Sequence, residues 1–138
     1  IDLSKEDYYE LEEYFTLLYN NKSAVNISPQ GFYLLSTKEV FDMPDTLNAK
    51  LKDYSQIGFR GVQHLAGWID PNFIGNIVLE VKSEEISNKS LEDNMPIGKF
   101  ELFRNMEPNR QYGIQALNSH YKGQIGPRPA KQFRWYFK

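Results

Sequence analysis

The sequence predicts a mainly β domain with one helix at its N-terminal edge, and three observations carry that expectation. From residue 25 onward, short runs of apolar and β-branched residues recur at the spacing of all-β domains. Breakers stand between them: Pro44, Gly58, Gly61, Gly67, Gly75 and the Asn94-Met95-Pro96 corner. Before residue 25 the period changes, with Tyr8, Leu11, Phe15 and Leu18 at helical spacing. No internal repeat, low-complexity tract or linker interrupts this pattern. Residues 1–138 therefore read as a single domain, a compact antiparallel β-barrel or jelly-roll-like fold.

The elements follow in order. Residues 1–22 form a helical lead-in: Ser4 and Asp7 approximate a capping box with a shorter acid, acids crowd the first turns, and one apolar face runs from about 8 to 18. Asn20-Asn21 ends it. The turn Ser28-Pro29-Gln30-Gly31 introduces a strand at Phe32-Tyr33-Leu34-Leu35, and further strands are expected over 47–51, 62–65, 77–81 and 97–103. Residues 126–138 form a basic, aromatic C-terminal tail. Arg128, Lys131, Arg134 and Lys138 alternate there with Phe133, Trp135, Tyr136 and Phe137, which suits either a flap over an anionic ligand or a solvated basic tail.

Composition narrows the function. A chain of 138 residues can bury a real core, and no apolar run approaches the roughly 20 residues that span a bilayer. No signal-peptide pattern opens the chain, and its first residue, Ile1 in place of Met, suits a piece of a longer protein. With no cysteine there is no disulfide framework, which accords with a cytoplasmic location. The only histidines are His64 and His120, so a zinc deaminase of the H-x-E…P-C-x-x-C kind is excluded. A net charge of −2 argues against bulk electrostatic binding of nucleic acid. No P-loop, Ser-His-Asp arrangement or EF-hand pattern is present.

The most informative stretch runs from Ala66 to Glu80. It reads as an Ala-Gly turn, an Asp-Pro corner at Asp70-Pro71, a break at Gly75, and then a strand with one acid among Ile77, Val78, Leu79 and Val81. A carboxylate in such company is costly to desolvate unless it has a partner or a task, and an apolar setting would raise its pKa. Strand alternation puts Ile77, Leu79 and Val81 on one face and Glu80 with Val78 on the other. The competing reading of Glu80 is an ordinary solvent-facing acid on an amphipathic strand. Asp70 either contacts a ligand or caps its own turn, as is common at Asp-Pro. Ala66 and Gly67 leave room for backbone to approach a ligand closely. His64, on a short apolar strand, reads as structural.

These motifs, in this order, resemble the dCTP deaminase and dUTPase superfamily. The similarity covers about residues 28–125: Phe32 to Val40 with Met43-Pro44, Gly58-Phe59-Arg60, Ala66-Gly67-Trp68-Ile69-Asp70-Pro71, Val78-Leu79-Glu80-Val81 through Ser83, Asn94 to Gly98, Tyr112, and Ser119-His120-Tyr121-Lys122-Gly123-Gln124. The C-terminal half of tandem two-domain bacterial dCTP deaminases is the nearest variant. The resemblance implies a distorted dUTPase-like β-barrel and a homotrimer, or a pseudo-trimer with a partner deaminase domain. It implies a deoxycytidine nucleotide substrate, with Mg²⁺ carried by the triphosphate rather than by a protein cage, and no zinc.

Residue by residue, the resemblance makes Glu80 the general base and acid that converts dCTP and water to dUTP and ammonia. Asp70 would contact the deoxyribose 3′-hydroxyl. Ala66 and Val78 would line the base pocket, and Tyr112, His120 and Gln124 would hold base or phosphates. His120 stands where a Lys is usual, so its charge would exist only on protonation, near its unperturbed pKa of about 6.5. The family's Arg-Ser-Ser-Leu-x-Arg phosphate motif is eroded here to Tyr54-Ser55-Gln56-Ile57-Gly58-Phe59-Arg60, leaving Ser55 and Arg60. Two alternatives stand beside the deaminase. One is a dUTPase-like pyrophosphatase with Asp70 as base, which leaves Glu80 unexplained. The other is a non-catalytic half-domain that completes a trimeric assembly.

Overall fold

The computed structural model describes residues 1–18, 23–65, 67–84, 86–106, 112–113 and 119–135. Eight strands follow in chain order: β1 (Ala24–Ile27), β2 (Phe32–Asp42), β3 (Leu47–Asp53), β4 (Val62–His64), β5 (Trp68–Ile69), β6 (Ile74–Ser83), β7 (Lys89–Glu92) and β8 (Gly98–Arg104). One short helix, α1 (Ser55–Gly58), joins β3 to β4. The strands form three antiparallel sheets, ordered β1-β7, β2-β6-β4 and β5-β3-β8, and the described residues do not close them into a barrel. The domain is thus mainly β, as its patterning predicts.

All five expected strands form: β3, β4 and β6 bury apolar residues in one core, whereas β8 is exposed beyond Gly98 and is a strand because it pairs along the whole of β3. Ile77, Leu79 and Val81 of β6 are buried with Ile27, Ala49, Leu51, Ile57, Val62, Ile69, Phe73 and Leu91. On the other face of β6, Val78 is half-buried, and Glu80 and Lys82 are exposed. A bulge in β2 between Ser36 and Val40 is stapled by Asn76, whose side-chain amide donates to the Thr37 and Glu39 carbonyls at 3.0 Å each. The Asn76 Oδ1 accepts from the Gly126 N–H, and its backbone carbonyl accepts from the Gln124 amide at 2.6 Å. Such full use of a buried polar side chain is what makes its burial tolerable.

The expected helix over 8–18 does not form. A single 3₁₀ turn, Leu11–Glu13, stands in its place. Asp7 is left-handed, at φ 46°, and Ser4 bonds Asp2 rather than capping toward Asp7. The backbone donors of Asp7, Tyr8 and Tyr9 go instead to the carbonyls of Lys131 and Gln132, and the Arg134 N–H returns to the Tyr9 carbonyl. Of the four residues at helical spacing only Leu11 is buried. Tertiary pairing has overridden local propensity, which is worth only tenths of a kcal/mol per residue.

The C-terminal tail is correspondingly neither a free flap nor a solvated arm over 126–135. Pro129, Gln132 and Phe133 are buried, and Lys131 and Arg134 pair with Glu6 and Glu10. Tyr9, Tyr14 and Phe15 surround the Phe133 ring at centroid distances of 5.3–6.2 Å. Tyr136, Phe137 and Lys138 lie outside the described residues, as do 19–22.

Residues 123–126 lie against the start of β6. Gly75 bridges Gln124 in parallel, the Asn76 N–H donates to the Gln124 carbonyl at 3.1 Å, and the Gly123 N–H donates to the Ile74 carbonyl at 2.6 Å. Gly75 is required here twice over: its φ is +142°, and a Cβ would stand 2.8 Å from the Gln124 carbonyl oxygen. Gly75→Ala should therefore cost about 1–3 kcal/mol in strain, read as a lower denaturant midpoint at unchanged slope. Gly67→Ala is the control, since a Cβ there meets nothing within 4 Å. Equal stability of the two variants would contradict the clamp.

Candidate functional site

The clamp carries the chain past β6 and brings residues distant in sequence onto its outer face. Glu80 pairs across with Leu34, and Val78 with Ser36, so these four share that face. Burial lifts the pKa of the Tyr121 hydroxyl, and the charge of Glu80 lifts it further, while Arg128 and Lys131 oppose them. Tyr121 also packs edge-on against His120, with centroids 4.8 Å apart.

A second acid joins from the other side. Asp70 sits half-buried at the corner between β5 and β6, where its carbonyl accepts from the Phe73 N–H at 3.3 Å. Desolvation raises the pKa of its carboxyl. Tyr112 is held up chiefly by burial, with smaller upward contributions from Asp70 and Tyr121. The Tyr121 backbone N–H, which donates to the Tyr112 hydroxyl, acts in the opposite direction. Both phenols thus stay protonated and can donate to a ligand. Tyr112 leans on Phe73, centroids 6.2 Å apart, and the Lys122 ammonium donates to the Tyr112 carbonyl. Asp70, Tyr112, Tyr121 and Glu80 therefore form one connected set.

Two expectations about this set need correction. Glu80 is solvent-exposed in the single chain rather than desolvated, because its apolar neighbours Leu79 and Val81 point through the sheet to the core. His120 does not supply charge at neutral pH. Burial and then the charge of Arg128 push its pKa below the ordinary value of 6.5, against weaker upward pulls from the Pro129 carbonyl, Asp7 and Glu6.

The remaining candidates lie variously. Gln124 is buried, its amide nitrogen committed to Asn76 and its Oε1 without a partner among the described residues. Ser55 is exposed at the start of α1, while the Arg60 guanidinium donates to the Ser90 carbonyl of β7 at 3.1 Å. Among the described residues, no hydrogen bond or ion pair links Ser55 or Arg60 to Glu80, Asp70 or the tyrosines. Ala66 lies outside the described residues. His64 contacts Asp53 at 3.0 Å and plays no part in the set. Tyr121, expected to be no more than core, does pack against the core cluster, as does Tyr112, whereas sequence reasoning passed over Asn76. An Asn directly after a strand-opening Gly, in an otherwise apolar run, was the available signal.

Asp70 makes a pH prediction. Its folded pKa lies above the ordinary carboxyl value of 3.8, so the folded state binds the proton more tightly. The stability this gives is present in full below about pH 3.8 and is lost as pH rises through the raised folded value. Asp70→Asn removes the charge, so it should melt higher than the parent at pH 7, with the gain shrinking toward pH 3. Any loss of activity in the same variant then reflects function rather than folding. A melting point below the parent's at pH 7 would contradict this.

The fold and the returning C-terminal segment define a mainly β domain with sheets ordered β1-β7, β2-β6-β4 and β5-β3-β8. More narrowly, the chain belongs to the family of the 2′-deoxycytidine 5′-triphosphate deaminase (DCD) C-terminal domain, whose model matches residues 1–133. Curated relatives are named "dCTP deaminase, dUMP-forming". The Acidothermus cellulolyticus protein is 37% identical over 111 residues, covering 78% of this chain and 58% of its own. That of Nocardia farcinica is 38% identical over 110 residues, with 78% and 55% covered. That of Mycobacterium tuberculosis is 34% identical over 115 residues, with 81% and 60% covered. The chain thus spans under two thirds of the relatives it matches. A crystal structure of 2′-deoxycytidine 5′-triphosphate deaminase from Agrobacterium tumefaciens shares the fold, with a TM-score of 0.58 at 22% identity over 66% of this chain and 29% of that one.

Proposed function

We propose that the chain is the catalytic β domain of a deoxycytidine nucleotide deaminase, with Glu80 as the proton shuttle. The observation that carries this reading is Glu80 itself, an acid exposed on the sheet face where Tyr121 meets it, in a chain of this family. Glu80 takes a proton from water as the oxygen bonds to C4 of the cytosine, and passes it to N3. A second transfer protonates the exocyclic amine, the C4–N bond breaks, and ammonia leaves a C4 carbonyl. The carboxylate returns unchanged, so one group serves each step. Asp70 receives the sugar hydroxyl, and Tyr112 and Gln124 steady the base. Mg²⁺ arrives with the triphosphate as part of the substrate.

Glu80 needs desolvation that the single chain does not supply. A homotrimer, or a pseudo-trimer with a partner deaminase domain, would cover it, and would bring Ser55 and Arg60 of one copy toward the Glu80 of the next. The exposed apolar residues Phe59, Leu65, Trp68 and Leu102 support such an assembly, because apolar surface of this extent favours burial against a partner. The relatives' name, dUMP-forming, favours a second reading in which the same site also hydrolyses the triphosphate, with Asp70 as base for the attack on phosphorus.

Incubating the purified chain with dCTP, dCMP and dUTP while following ammonia and diphosphate decides among these. Ammonia without diphosphate means dUTP is the product, and both together mean dUMP. Neither, from a chain that light scattering finds trimeric, would refute the catalytic reading.

A further inference from the structure

The cations of the C-terminal stretch are nearly all spoken for. Lys122 donates to the Tyr112 carbonyl, Lys131 pairs with Glu6, and Arg134 pairs with Glu10. Arg60 is held by the Ser90 carbonyl. Arg128 differs: its side chain makes no hydrogen bond or ion pair among the described residues, and its Nε is buried without a partner. A half-buried guanidinium with idle donors is unfavourable unless something fills them. Arg128 directly precedes Pro129, whose carbonyl the His120 ring contacts at 3.3 Å, and its charge acts on both His120 and Tyr121.

We propose that Arg128 is a phosphate-binding residue of this site, its planar fork taking two oxygens of the substrate's phosphate chain. The deaminase reading supplies the identity of that ligand; the site itself is defined by the idle fork. His120 cannot serve in its place, being neutral at pH 7 with Arg128 as neighbour. The charge for an anion at this end of the site therefore resides at position 128.

The test uses the purified chain, with inorganic tripolyphosphate, dCTP and deoxycytidine as probes in calorimetry. Arg128→Gln should weaken tripolyphosphate and dCTP roughly tenfold to hundredfold, the value of a charged hydrogen bond or two, and leave deoxycytidine unchanged. Arg128→Lys should recover part of the loss through charge without the fork. A second readout needs no variant to fold: the chain has only two histidines, so the His120 ring proton can be followed by NMR. Tripolyphosphate at Arg128 offsets the charge that depresses His120, so its titration midpoint should move up. In Arg128→Gln the midpoint should start higher and ignore the anion. Undiminished tripolyphosphate binding in Arg128→Gln, or a wild-type midpoint that does not move, would overturn the proposal. If both results hold and the chain still releases no ammonia, Arg128 stands and the deaminase reading falls. Ammonia release with Arg128→Gln equal to wild type in tripolyphosphate binding sinks only the Arg128 assignment.

Discussion

Glu80→Gln is expected to slow ammonia release from dCTP by at least the 10²–10⁴-fold that one general acid–base group supplies. The amide is nearly isosteric and keeps a hydrogen-bonding edge for the base, but it cannot accept the proton of the attacking water. Glu80 is exposed and its apolar strand neighbours pack elsewhere, so the exchange should leave melting temperature and dCTP affinity almost untouched. A loss in kcat at unchanged KM is the signature of a group used in the transition state. Turnover near the parent value would remove Glu80 from the mechanism and leave Asp70 as the acid to examine.

Phe133→Ala should produce the largest loss of stability. The ring is 4% exposed and contacts Tyr9, Tyr14 and Phe15, three residues more than a hundred positions away in sequence. Truncating a buried Phe to Ala costs about 3–5 kcal/mol, a large share of the 5–15 kcal/mol that holds a domain folded. The damage should also reach the site. Residues 125–132 are held between the Gly75–Gln124 bridge and the Phe133 anchor, so releasing one end loosens Arg128 and the Pro129 carbonyl that the His120 ring contacts. Hydrogen exchange across 125–132 should accelerate in the variant while β3 and β6 keep their protection. Unchanged exchange in that segment would mean that the anchor does not support the site.

What could be read from residue order alone follows from the range of the interactions involved. The strands at 32–35, 47–51, 62–65, 77–81 and 97–103 were legible because each is a short apolar or β-branched run bounded by breakers, and the orientation of Glu80 followed from the strand period of two. β1, β5 and β7 carry no such signal: Ala24–Ile27, Trp68–Ile69 and Lys89–Glu92 are short and mixed, and β1 and β7 are strands because they pair with each other. The N-terminal helix was misread for a related reason. Leu11 and Phe15 are spaced as on a helix, but Phe15 packs against a partner arriving from residue 133. At the site, Asp70 and Glu80 stand out locally. The neutrality of His120 and the position of Arg128 depend on burial and on a chain crossing that no local pattern encodes.

The strand order has a kinetic consequence. Among the described residues, no two strands consecutive in the chain pair with each other: β1 waits for β7, β2 for β6, β3 for β5 and β8, and β4 for β6. With no hairpin among the described strands, long loops must close before any ladder rewards them, so refolding should fall in the slow range of milliseconds to seconds that non-local β topologies occupy. On a ribosome the delay is longer. At roughly 5–20 residues per second, Tyr9 emerges about 6–25 s before Phe133 exists to receive it. Throughout that interval the nascent chain carries apolar segments whose partners have not yet been made.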